Sequence, residues 1–135
     1  MIGVLAVILG LCLVFWLMGQ LSKKSFFSNV RRKSKLLRTK EFLLNADYEK
    51  ALSKSKEAIT LFKLKLERFN PENGELVALS GMDFRSFGEI ITISLKKADS
   101  GTSVKIESTP SIPFTLLDYG RNQANVDAIY QLIAK

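Results

Sequence analysis

Few side chains in this sequence could carry out chemistry. The 135 residues include no histidine and one cysteine, Cys12, which lies in an apolar stretch. Histidine is the commonest general base and a common metal ligand, so its absence removes the usual route to both kinds of site. No serine lies in a GxSxG motif, and the single thiol excludes an intrachain disulfide. We therefore expect neither enzyme activity nor a bound metal or cofactor.

The acidic residues and glycines do not change this expectation. Glu75, Asp83 and Glu89 could converge, but three acids along two strands are more often a solvated face than an acid–base pair. The other acids are scattered singly instead of clustering as in a calcium loop. Gly74, Gly81 and Gly88 lie in predicted hairpins and do not open a helix, as the glycines of a phosphate-binding loop do.

The first 22 residues are predicted to form a transmembrane anchor. They contain no charged side chain, and residues 2–21 are almost entirely apolar. A helix of this length covers about 30 Å, the thickness of the hydrocarbon layer. A buried helix of a soluble protein is the alternative, but so small a domain could not cover a helix that is apolar on every face.

A basic segment, residues 23–34, follows the anchor. Residues 23–40 carry eight basic side chains and no acidic one, so the formal net charge of +7 is a local feature. The positive-inside rule then places the N-terminus outside and residues 35–135 in the cytoplasm. The segment suits anionic lipid headgroups better than nucleic acid, although it could serve only as a topology signal and linker. The predicted membrane-surface residues are Lys23, Lys24, Phe26, Phe27, Arg31, Arg32, Lys33 and Lys35.

Residues 35–135 are predicted to form a small α+β domain of order β-α-β-β-β-β-α. Residues 35–44 fit an edge strand or a helix, and we predict a strand; residues 47–62 have the three- and four-residue apolar spacing of a helix. Alternating residues and the turns at 70–74 and 99–101 then predict two hairpins, and a closing helix follows Gly120. Short connections predict an antiparallel sheet with both helices on one face.

Two loops have a composition typical of binding surfaces. Residues 82–88 place aromatic side chains on either side of an arginine, and residues 110–122 are too apolar for an ordinary exposed loop. Packing of both loops on the domain's own core is the simpler expectation, and a plain helix cap is simpler than a phosphate site at Arg121 and Asn122. If the loops are instead exposed, the predicted partner-binding residues are Phe84, Arg85, Phe87, Phe114, Leu117, Tyr119 and Arg121.

Two functions fit these features. The first is a non-catalytic accessory or assembly subunit that docks on the cytoplasmic side of a larger membrane protein complex. The second rests on the element order, which resembles a shortened helix-grip arrangement of the START-like kind; this resemblance implies a lipid or other apolar ligand in a cavity between sheet and helix. Packed side chains would favour the first function and a cavity the second. We expect a packed core, formed by Leu64, Leu66, Ile91, Ile93, Val104 and Ile106.

Overall fold

A computed structural model describes residues 9–16, 34–82, 87–112 and 117–135. Residues 9–16 are helical and exposed, and the rest of the predicted anchor lies outside the described residues. Within the described ranges, no helix is both long enough and apolar enough to cross a bilayer. The transmembrane anchor at residues 1–22 therefore stays a prediction.

The domain is a single antiparallel sheet with two helices. In chain order its elements are β1 (Arg38–Leu44), α1 (Tyr48–Leu61), β2 (Lys65–Asn70), β3 (Glu75–Leu79), β4 (Glu89–Ala98), β5 (Gly101–Pro110) and α2 (Arg121–Ala134). The five strands lie in the order β1-β5-β4-β3-β2, and every neighbouring pair is antiparallel. The predicted element order and the antiparallel sheet are confirmed.

Local sequence explains where the elements begin and turn. The Asp47 carboxylate caps α1 by accepting a hydrogen bond from the Lys50 N–H at 2.8 Å. Gly74 ends the β2–β3 turn at φ +66°, and a Cβ there would lie 2.4 Å from the Leu95 carbonyl oxygen. Residues 35–37 do not join β1, which begins at Arg38.

Both helices pack on the same face of the sheet. Ile91, Ile93 and Leu95 alternate along β4 toward this face. One continuous cluster joins them to Val104 and Ile106 of β5, Ala51, Ala58 and Ile59 of α1, and Val126, Ile129 and Ile133 of α2. The helices also contact each other. The predicted placement of the helices is thus confirmed.

The expected packed core is confirmed for most of its predicted members. Ile91, Ile93, Val104 and Ile106 are fully buried, and Leu64 packs against their cluster. Leu66 was predicted wrongly, because it stays 42% exposed. Leu66 lies on the edge strand β2, immediately before an irregularity in the pairing with β3. The helices make few contacts with this strand.

Candidate binding surface at the loop end

Exposed apolar side chains gather at one end of the domain, which we call the loop end. Here β1 and β4 begin, β3 and β5 end, and α2 starts. The end of α1 and the start of β2 lie on the same side. The large apolar residues exposed in this region are Leu61, Leu66, Met82, Phe87, Ile112, Leu117 and Tyr119.

The opposite end has a different surface. Within residues 34–82, 87–112 and 117–135, Leu43 is the one exposed large apolar side chain in that half of the domain, where β1 ends. Two open clefts, of about 690 and 450 Å³, also lie there, and their linings include Asp47, Glu49, Lys50, Lys54 and Lys97. Both linings mix these charged side chains with apolar ones such as Tyr48 and Phe42, and both clefts are open to water. The apolar surface is therefore concentrated at the loop end.

At the loop end, hydrogen bonds join the connection between β3 and β4 to the connection between β5 and α2. The Ser111 N–H donates to the Gly88 carbonyl oxygen at 3.0 Å, and the Ser111 hydroxyl donates to the Phe87 carbonyl oxygen at 2.9 Å. These bonds extend the β4–β5 pairing past Glu89 and Pro110. Phe87 and Ile112 are consequently held on adjacent segments, even though both side chains are exposed.

A buried ion pair lies beneath this surface. Glu89 is on the core-facing side of β4 and is only 2% exposed, and its Oε1 lies 3.0 Å from Nε of Arg121, the first residue of α2. The Ser80 hydroxyl also donates to Glu89, and the Glu89 N–H donates back to that hydroxyl at 2.7 Å. The pair fixes the start of α2 against the sheet.

A polar network lies next to the ion pair, at the start of α2. Its members are Ser108, Asp118, Asn122 and Asn125. The Ser108 hydroxyl donates to Asn122 Oδ1 at 2.7 Å and accepts from Asn125 Nδ2 at 3.2 Å. Asn122 Nδ2 donates to Asp118 Oδ2 at 2.9 Å. Because these groups satisfy one another inside the domain, they anchor α2 to β5 without requiring a ligand.

Asp118 takes the position in which a bound anion would lie. Its carboxylate accepts from the backbone N–H groups of Gly120 at 3.0 Å and of Asn122 at 3.3 Å, at the N-terminus of α2. Partial burial opposes ionisation, but the hydrogen bonds from Asn122 and Gly120 and the charge of Arg38 outweigh it. Together they hold the pKa of Asp118 below its usual 3.8. The chain's own carboxylate thus accepts hydrogen bonds at this helix N-terminus, two residues before the N-cap Gly120.

The lowered pKa of Asp118 predicts a dependence of stability on pH. A carboxyl whose pKa is lower in the folded state contributes stability above its unfolded pKa, and this contribution is lost as the pH falls through the folded value. The difference in the free energy of unfolding between wild type and Asp118→Asn should therefore be constant above the ordinary value and shrink below it. Urea unfolding from neutral to acidic pH measures this difference. A gap that keeps its size in acid would contradict the assigned role.

The structure separates the predicted partner-binding residues into three groups. Phe87, Leu117 and Tyr119 are 70%, 68% and 73% exposed, so the expectation that they pack on the core of their own domain was wrong. Arg121 pairs with Glu89 at the start of α2, and its part in partner binding stays a prediction. Phe84, Arg85 and Phe114 lie outside the described residues.

The other site predictions have mixed outcomes. Lys35 is exposed in the turn before β1, whereas the remaining predicted membrane-surface residues lie outside the described ranges. Glu75 and Glu89 do not converge, because Glu75 pairs with Ser94 toward the other end of β4. Nor is Glu89 part of a solvated face. The sequence did carry a signal of this burial. Glu89 lies two residues before Ile91, so alternation along the strand places it on the same face as Ile91.

Comparison with known proteins gives similarity to solved structures alone. No family model matches the chain, and no curated protein matches it. The crystal structure of Ara h 8.0201 is similar with a TM-score of 0.41 and 11% identity, over 72% of this chain and 96% of that one. The di-domain ARO/CYC StfQ from the steffimycin biosynthetic pathway is similar with a TM-score of 0.48 and 13% identity. That match covers 79% of this chain and 52% of StfQ. Because both TM-scores are below 0.5, neither similarity implies a ligand or an activity for this chain.

Proposed function

We propose that this chain is a non-catalytic, membrane-tethered module that binds a lipid or another apolar ligand at its loop end. Residues 1–22 anchor it as a single-pass protein, and the domain lies on the cytoplasmic side. The observation that carries the proposal is the concentration of exposed apolar side chains at the loop end, including Phe87 and Leu117. Apolar surface gathered in this way marks an interaction site more often than scattered exposed residues do.

The packed core determines where such a ligand would bind. Leu76, Ile91, Ile93 and Ile106 are fully buried in one cluster, so the space between sheet and helices is filled by side chains. A central cavity of the helix-grip kind is therefore not part of the proposal. Binding instead involves the surface around Phe87, Ile112 and Leu117, with the Glu89–Arg121 pair holding α2 in place below it.

A photoreactive acyl chain tests this function directly. Full-length protein in membranes would be exposed to a diazirine-bearing fatty acid, and the labelled peptides identified by mass spectrometry. We expect label on the peptides carrying Phe87 and Leu117. The double variant Phe87→Ser/Leu117→Ser should reduce it on the order of tenfold, since polar groups replace apolar contact area. Leu43→Ser removes a comparably exposed leucine at the other end and should change nothing. Equal labelling of both ends would rule the proposal out.

The accessory-subunit hypothesis is the second candidate, and the packed core is the observation that favours it. A domain without an internal cavity is suited to docking, and the same loop end would then contact a larger membrane protein complex. Purification of the tagged full-length chain from gently solubilised membranes distinguishes the two functions. A stoichiometric protein partner that the Phe87→Ser/Leu117→Ser variant fails to retain would favour the accessory subunit; recovery of the chain with bound lipid alone would favour ligand binding.

A further inference from the structure

The loop end is also the end at which the chain enters the domain. Arg38 is the first residue of β1 and pairs with Ser108 near the end of β5. The Ser108 hydroxyl donates to Asn122 in the first turn of α2 at 2.7 Å, so the entry point lies beside the α2 N-terminus. Residues 34–37 therefore approach the domain from the side that carries Leu117 and Tyr119.

We propose that the loop end rests in the interfacial layer of the bilayer that holds the anchor, so that the ligand is a membrane lipid taken from that bilayer. This inference rests on the proposed function and its membrane tether. The surface matches an interfacial environment in composition, because it presents Phe87, Leu117 and Tyr119 to the outside on the side where a basic segment precedes β1. Aromatic and apolar side chains beside basic ones are the usual composition of a segment that lies among headgroups.

The length of the tether does not produce this orientation. The 16 residues between Leu21 and Arg38 let the two ends lie at most about 60 Å apart when fully extended, which would let the domain turn in any direction. The preference comes from the uneven surface of the domain. Turning the loop end toward the bilayer removes Phe87 and Leu117 from water, whereas turning the opposite end toward it buries charged groups such as Lys50 and Lys97.

Depth-dependent quenching tests the orientation. In a Cys12→Ser background, the full-length chain would carry an environment-sensitive dye at Leu117→Cys or, as the matched control, at Ser100→Cys in the β4–β5 turn at the opposite end. Both proteins would be reconstituted in vesicles of phosphatidylcholine and phosphatidylserine with brominated acyl chains. We expect the dye at residue 117 to emit at shorter wavelength and to be quenched several-fold more strongly than the dye at residue 100.

Each outcome separates this inference from the proposed function. Equal quenching at both positions would overturn the orientation, and the proposed function would survive if the photoreactive fatty acid still labels the Phe87 and Leu117 peptides. A blue-shifted dye at residue 117 without bromolipid quenching would also overturn it, since protein and not lipid would then cover the site. Strong quenching at residue 117 without specific acyl labelling would leave the loop end facing the bilayer but would overturn both the ligand-binding function and the membrane lipid as its ligand.

Discussion

Replacing Ile129 by alanine is expected to lower the free energy of unfolding by about 3 to 4 kcal/mol. Ile129 is fully buried in the middle of α2, in the cluster that joins this helix to β5 and α1. Truncation removes buried methyl groups and leaves a cavity that the surrounding strands cannot fill. Because small domains are stabilised by only about 5 to 15 kcal/mol in total, this is a large share of the stability.

Urea unfolding of the full-length chain in detergent micelles, followed by far-ultraviolet circular dichroism, measures this loss. Leu117→Ala is the matched control, because Leu117 is exposed and lies just before the same helix. Its truncation should change the free energy of unfolding by less than about 0.5 kcal/mol. Similar losses for the two variants would mean that α2 is not packed on the sheet through Ile129.

Replacing Arg121 by methionine should lower the free energy of unfolding by about 3 kcal/mol, although the Arg121 side chain is 26% exposed. The change keeps an unbranched side chain but removes the guanidinium that faces Glu89 at 3.0 Å. Glu89 then keeps its hydrogen bond from the Ser80 hydroxyl but loses the guanidinium that faces it. Most of the expected loss comes from removing this cation from beside a buried carboxylate, because the pair itself gains little over an apolar replacement.

A double variant isolates that mechanism. Adding Glu89→Gln to Arg121→Met removes the buried charge and should restore part of the stability, so the two substitutions should be strongly non-additive. Asp127→Asn serves as the control, since its ion pair with Lys40 is exposed on both sides and contributes at most about 1 kcal/mol. Additive losses from Arg121→Met and Glu89→Gln would show that the pair does not act as a unit.

Much of the fold follows from local sequence patterns. The alternation of Ile91, Ile93 and Leu95, the cap at Asp47 and the turn at Asp99-Ser100-Gly101 involve residues close together in the chain. Their effects are set by backbone geometry, so the element order and the antiparallel sheet could be predicted. The strand β1 was harder to predict, because its apolar residues fit the periodicity of a helix and that of a strand. Pairing with β5 decides between the two, and β5 lies about sixty residues further along the chain.

The candidate site followed the sequence less closely. The composition of the two loops identified Phe87, Leu117 and Tyr119, but it predicted that they pack on the core of their own domain. Whether a loop side chain can reach the core depends on how much space the other elements leave there. In this domain the cluster around Ile93, Ile106 and Ile129 already fills that space.

The sequence by itself determined the absence of histidine, the segregation of apolar and basic residues and the order of the helices and strands. These properties depend on residue types and short spacings alone. Only the tertiary structure decided that Glu89 pairs with Arg121 and that the exposed apolar residues share one end with the start of β1. The physical reason is that each of these features joins segments that the antiparallel register of the sheet brings together, and no local pattern encodes that register.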